Sequence, residues 1–71
     1  MRTIAITTEF ITLQDLLKFA AIASTGGEAK QMVQGGHVTL NGEICTQRGK
    51  KLRPGDVVCT AGEEIGISYA D

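Results

Sequence analysis

The apolar residues of this chain change period at Gly35-Gly36. Upstream they recur at helical spacing. Leu13, Leu16, Leu17, Ala20 and Ala21 fall at i, i+3, i+4, i+7 and i+8, and Ala29, Met32 and Val33 make a second, shorter stripe. Such stripes line one face of a helix and oblige that face to pack against something. Downstream, Val38 and Leu40 alternate with His37 and Thr39, the period of a half-buried strand. Glycine marks the boundary because it takes the left-handed conformation that closes a helix at little cost. With 71 residues, the chain has room for one domain spanning 1–71, in which two short helices cover a small sheet.

Local signals place the remaining elements. Thr12 with Asp15, and Thr25 with Glu28, are capping boxes that start the two helices. Ser24-Thr25-Gly26-Gly27 separates them. Arg2 to Thr7 carries β-branched residues with Ile4 and Ile6 in alternation, a short strand. Asn41-Gly42 is the strongest short-range hairpin signal, since both residues of the turn need positive φ. Glu43-Ile44-Cys45 then returns as the partner strand, and Thr46 to Arg53 is a polar, basic loop with Leu52 as its one inward candidate. Pro54-Gly55 is a turn dipeptide. Asp56 to Thr60 and Ile65 to Tyr69 read as further strands joined by a turn over Ala61 to Glu64. The predicted fold class is α+β: two short helices packed on a small antiparallel sheet of four to five strands.

Several functions are disfavoured at this point. A domain of this size has a thin core and no room for a deep substrate cavity. No Ser-His-Asp or Cys-His arrangement can be assembled, no phosphate loop of the GxxxxGK[ST] type occurs, and Asp15 and Glu28 serve as caps rather than as acid–base catalysts. Cys45 and Cys59 form no CxxC, and His37 stands at no ligand spacing from either. Both cysteines read as small, half-buried strand residues, and no metal or cofactor is expected. No apolar run approaches the ~20 residues that a membrane helix needs, and the start of the chain lacks the layout of a secretory signal. The expectation is a cytoplasmic, monomeric, non-enzymatic protein with no membrane and no small-molecule substrate.

Charge is informative through its distribution. The whole chain carries −1. Residues 30–53 hold Lys30, Arg48, Lys50, Lys51 and Arg53 against Glu43 alone, a balance of +4. Residues 54–71 hold Asp56, Glu63, Glu64 and Asp71, a balance of −4, and residues 1–29 come to −1. A basic block between acidic flanks is the pattern of a localised anion-binding face.

These residues also carry a family resemblance. Ile11-Thr12-Leu13, Asp15-Leu16-Leu17-Lys18-Phe19 and Thr25-Gly26-Gly27-Glu28-Ala29-Lys30 are followed by Met32-Val33, Gly36, Val38 and Asn41-Gly42-Glu43. Arg48, Lys51-Leu52 and Pro54-Gly55-Asp56-Val57-Val58 complete the series. In this order the set resembles the RNA-binding domain named after small-subunit ribosomal protein S-four, the alpha-L motif, over residues 11–60. It is most similar to short, stand-alone bacterial members. The resemblance implies two helices crossing a small twisted sheet. It also implies an RNA-binding surface made by the second helix, the strand after it and the basic loop: Lys30, Gln31, Gln34, His37, Asn41, Arg48, Lys50, Lys51 and Arg53. Two departures from the family pattern are visible. Thr25-Gly26-Gly27 lacks the basic residue that many members carry there, and Thr12-Leu13-Gln14-Asp15 replaces Arg-Leu-Asp.

Elementary physics supports the same partner. Lys and Arg neutralise phosphates and release counterions, and five such groups suit roughly three to five phosphates. Phe10, Phe19 and Tyr69 are the only aromatic residues, too few for stacking a run of unpaired bases. Structured RNA, ribosomal RNA or a ribosome-assembly intermediate above all, is the partner expected. The start of the second helix, with two glycines allowing close approach, is a further candidate phosphate cradle. The alternative is a protein-interaction adaptor that kept the fold and lost RNA binding, motivated by the net acidity and the departure at Thr25-Gly26-Gly27.

Overall fold

The computed structural model describes residues 1–70. Along the chain run β1 (Arg2–Ile6), β2 (Ile11–Thr12), α1 (Leu13–Phe19), α2 (Gly26–Gln34), β3 (Thr39–Leu40), β4 (Glu43–Ile44), β5 (Lys51–Leu52), β6 (Val57–Thr60) and β7 (Glu63–Tyr69). Five strands form one sheet in the order β1-β7-β6-β3-β4, and β2 pairs with β5 in a separate two-stranded ladder. The α+β class and the two helices on a sheet are as the sequence predicts. The sheet is mixed rather than antiparallel throughout, because β1 runs parallel to β7 with Arg2 opposite Ile65 and Ile6 opposite Tyr69.

Both helices start as their capping residues dictate. The Thr12 hydroxyl accepts the Asp15 N–H at 3.3 Å, and the Thr25 hydroxyl accepts the Glu28 N–H at 3.1 Å. Each bond satisfies one of the donors that a helix leaves orphaned in its first turn. Both helices also end in one motif. After α2, Gly36 adopts φ +79°, its N–H donates to the Val33 carbonyl, and the His37 N–H donates to that of Met32. After α1, Ala21 adopts φ 61°, its N–H donates to Lys18, and the Ile22 N–H donates to Leu17. These are the two paired bonds of a Schellman cap. Ala21 therefore leaves the apolar stripe predicted for it. The helix has already closed, and the residue is exposed.

The inward faces meet in one core. Leu13, Leu16 and Leu17 of α1, and Ala29 and Val33 of α2, are buried against Ile4, Ile6, Val38, Val58, Ile65 and Ile67 of the sheet side. Met32 and Leu40 are only half buried and pack at its edge. Leu52 is fully buried, so the basic segment is anchored where the sequence marks its one inward residue. In β6 it is Val58 that is buried, whereas Val57 is half exposed. The buried Thr60 hydroxyl donates to the His37 carbonyl at 2.9 Å, tying β6 to the entry of β3. Among the described residues no buried side-chain polar atom lacks a partner, as a thin core requires.

Turns complete the frame. Asn41 and Gly42 take φ 52° and 89° between β3 and β4, and Ala61 and Gly62 take φ 52° and 75° between β6 and β7. Positive φ at both central residues suits the right-handed twist of the flanking strands. The second turn is shorter than the predicted Ala61–Glu64, since Glu63 and Glu64 already belong to β7. No helix among the described residues is long and apolar enough to cross a membrane.

Candidate nucleic-acid interface

The basic segment between β4 and β6 is shaped by the start of α1. The N–H of Leu13 donates to the Lys50 carbonyl and that of Gln14 to the Arg48 carbonyl, each at 2.9 Å. With the Thr12 cap, these bonds satisfy three successive donors of the first turn. Ile11 and Thr12 pair with Leu52 and Lys51, and Leu52 sits in the core beneath. The segment that the sequence marks as a polar, basic loop is thus fastened at Arg48 and from Lys50 to Leu52. Its cationic side chains stay outside: Arg48, Lys50, Lys51 and Arg53 are all exposed. Lys51 holds its ammonium 4.8 Å from the centre of the Phe10 ring, a cation–π contact that limits its wandering.

On the other side of this segment the β3–β4 hairpin and the turn after Arg53 enclose an open depression. Asn41, Lys50, Lys51 and Arg53 line it, four of the nine residues that the sequence singles out. Lys30, Gln31 and Gln34 stand exposed on α2, outside the depression. His37 follows α2 directly, with its ring 2.9 Å from the point where a β-carbon on Gly35 would stand. Arg48 contributes its carbonyl to α1 and does not line the depression. Ile44 links the two groups. It lines the depression and lies 3.8 Å from the β-carbon position of Gly36, at the end of α2.

Ion pairing leaves these cations available. Among the described residues the one salt bridge joins Arg2 to Glu63 at 3.6 Å, so Lys30, Arg48, Lys50, Lys51 and Arg53 have no carboxylate within 4.0 Å. An unpaired, exposed cation keeps its full attraction for a polyanion, which an internal partner would offset. Asp56 also borders the depression, but both its oxygens are engaged. One accepts the Asn41 amide N–H at 3.1 Å and the other accepts the Arg53 backbone N–H at 2.8 Å. Asn41 accepts the Val57 N–H at 2.9 Å through its own amide oxygen. Its first role is therefore to hold two turns together.

Sequence reasoning passes over Leu40, Glu43, Ile44, Cys45 and Gln47, which line the same depression. The signal for them is the Asn41-Gly42 turn, which folds β4 back beside β3 and so turns Glu43 and its followers toward the basic segment. Cys45 and Cys59 are free thiols, both half buried, Cys59 within β6 and Cys45 just beyond β4. Among the described residues no three His, Cys, Asp or Glu side chains gather as a metal-ligand set would.

Two helices over a small sheet are what the family resemblance implies for the fold. Residues 4–68 match the S4 domain, more than nine-tenths of the chain. The chain belongs to the S4 domain family. Within known proteins it is 46% identical over 55 residues to a Bacillus subtilis (strain 168) protein named probable ribosome maturation protein RlbA, covering 78% of each chain. The S4 fold seen here also superposes on the solution structure of Escherichia coli YbcJ, described as revealing an alpha-L motif involved in RNA binding. That match has a TM-score of 0.73 and 28% identity, over 96% of this chain and 87% of the other. A second match is the 30S ribosomal protein S4e of Thermoplasma acidophilum, with a TM-score of 0.68 and 22% identity. It covers 92% of this chain and 34% of that one, a likeness of fold.

Proposed function

We propose that this S4-family chain is a non-catalytic RNA-binding protein of the bacterial cytoplasm, and that it grips structured ribosomal RNA or a ribosome-assembly intermediate. The observation that carries the reading is the set of exposed cations, Lys50, Lys51 and Arg53, around one depression, with no carboxylate among the described residues paired to them. The name of the Bacillus relative, a ribosome maturation protein, and the RNA-binding motif described for YbcJ support the same partner.

In this reading the phosphate backbone supplies most of the affinity, through counterion release. Lys50, Lys51 and Arg53 make the central contacts. Lys30, Gln31, Gln34 and His37 extend them along α2, and Arg48 extends them on the other flank. Asn41 acts by keeping the hairpin and the Arg53 turn in register. The Thr25-Gly26-Gly27 start of α2 adds a phosphate contact next to the α1 start, where the Gln14 side chain lies 3.2 Å from the β-carbon position of Gly26. A pinned basic segment favours structured RNA over a flexible strand, because its charges are already ordered before binding.

Crosslinking in living cells followed by sequencing of the bound RNA tests this reading. Enrichment of ribosomal RNA at a few discrete sites is expected. Recovery of no RNA above background would overturn RNA binding, and recovery of another RNA class alone would overturn the ribosomal assignment.

A further inference from the structure

The depression between the β3–β4 hairpin and the basic segment is not built like a groove for phosphate alone. Two of its lining residues, Leu40 and Cys45, are half buried and pack against the core. Glu43 stands opposite Leu40 in the β3–β4 ladder, shares its face and is exposed, whereas Ile44, 67% exposed, projects from the other face of the strand. A carboxylate there weakens binding of a polyanion, so a groove that served only phosphate would do better without it. Glu43 is also not neutralised: although Lys50, Lys51 and Arg53 border the same space, none comes within 4.0 Å of it. Asp56, the other acid in the depression, has both oxygens occupied within the fold. Among the described residues lining this depression, Glu43 is therefore the carboxylate with no hydrogen bond or ion pair within the fold.

An ionised carboxylate only accepts hydrogen bonds, through two oxygens side by side. The ligand that satisfies it presents two adjacent donors. Among the four RNA bases, the Watson–Crick edge of guanine alone does so, with its N1–H and its N2 amino group. Adenine and cytosine each pair an amino donor with a ring acceptor, and uracil flanks its one donor with carbonyls. The rest of the depression suits the same guest: Leu40 and Cys45 offer a small apolar surface for a ring edge or face, and Lys50, Lys51 and Arg53 meet the phosphates that flank the base. We propose that this depression takes a single unpaired guanine of the bound RNA, with Glu43 accepting from its N1–H and N2 amino group. This inference rests on the RNA-binding reading and makes it specific at one base. A single pocket of this kind needs none of the aromatic platforms that the chain lacks.

The test uses the full chain and five RNA hairpins with one common stem that differ only at a single unpaired loop nucleotide: guanine, adenine, cytosine, uracil or inosine. Their phosphates are identical, so the electrostatic contribution is common to all. The guanine hairpin is expected to bind at least about fivefold more tightly than those with adenine, cytosine or uracil, the low end for a bidentate base contact. Inosine, which lacks the amino group, is expected to fall between. Glu43→Gln replaces one acceptor with a donor. On an exposed strand position it leaves the fold intact, and the preference is expected to drop below about twofold while overall binding is kept or strengthened. Equal affinity of the unaltered chain for all five RNAs overturns the guanine site, as does absence of binding to any of them, or a preference that survives in Glu43→Gln. Equal but salt-sensitive binding would do so while leaving the RNA-binding reading in place. Recovery of no RNA above background in the crosslinking experiment would remove that reading itself.

Discussion

Asn41 and Asp56 clasp each other across two turns. The Asn41 amide N–H donates to one Asp56 oxygen at 3.1 Å, while the second Asp56 oxygen accepts the Arg53 N–H at 2.8 Å and the Asn41 oxygen accepts the Val57 N–H at 2.9 Å. The hairpin carrying Glu43 and the turn carrying Arg53 thereby become one unit. Asn41→Ala and Asp56→Ala should each lower stability by about 0.5–1.5 kcal/mol, the usual net contribution of a hydrogen bond whose partners water can reach. The double variant should cost less than the sum of the two by roughly 1 kcal/mol. Urea unfolding of the four proteins measures this directly. Strict additivity would show that the clasp carries no energy.

Ala21 and Gly36 occupy equivalent positions in two Schellman caps, both at positive φ. Only glycine tolerates that conformation freely, and an L-residue loses about 1–2 kcal/mol there. Part of glycine's advantage is offset by the greater freedom it gives the unfolded chain. Ala21→Gly should therefore raise stability by about 0.5–1 kcal/mol, and Gly36→Ala should lower it by about 1 kcal/mol. Thermal or urea unfolding should move the two midpoints in opposite directions.

Leu52 is fully buried, although the residues on either side of it are exposed lysine and arginine. Truncation to alanine should cost about 2–5 kcal/mol, against a total of roughly 3–5 kcal/mol for a domain of this size. Leu52→Ala should be largely unfolded by circular dichroism at 37 °C. Leu52→Met, which conserves volume, should stay folded with a loss under about 1.5 kcal/mol. A fully stable alanine variant would mean that the basic segment is not anchored through this side chain.

The parts of the fold legible in the sequence are those with local causes. Thr12 and Thr25 announce their helices because a hydroxyl beside free N–H groups is enough to start one, and Asn41-Gly42 announces its turn because positive φ is demanded twice. Ala21 misleads for the complementary reason: an alanine at a left-handed cap carries no stop signal, so the stripe reads on past the true end at Phe19. The parallel pairing of β1 with β7 brings Arg2 to Ile65 and depends on packing across the whole chain, which no window of residues contains. The two-residue strands β2 and β5 are too short to show any period. The candidate interface follows the same division. Lys50, Lys51 and Arg53 are visible as a charge run, whereas Glu43 becomes notable only once the hairpin has turned it toward them.

The salt dependence of binding to a structured ribosomal RNA fragment tests the central claim most directly. Binding by the unaltered chain and by the Lys50→Ala/Lys51→Ala/Arg53→Ala variant is measured across a range of potassium chloride concentrations, with Lys18→Ala, an exposed change on α1, as control. Each phosphate that the protein no longer neutralises should flatten the logarithmic slope by about 0.7–0.9. The triple variant should therefore bind more weakly, with a slope shallower by about 2–3, while the control stays unchanged. Identical slopes for all three proteins would contradict the assignment of these cations to the RNA backbone.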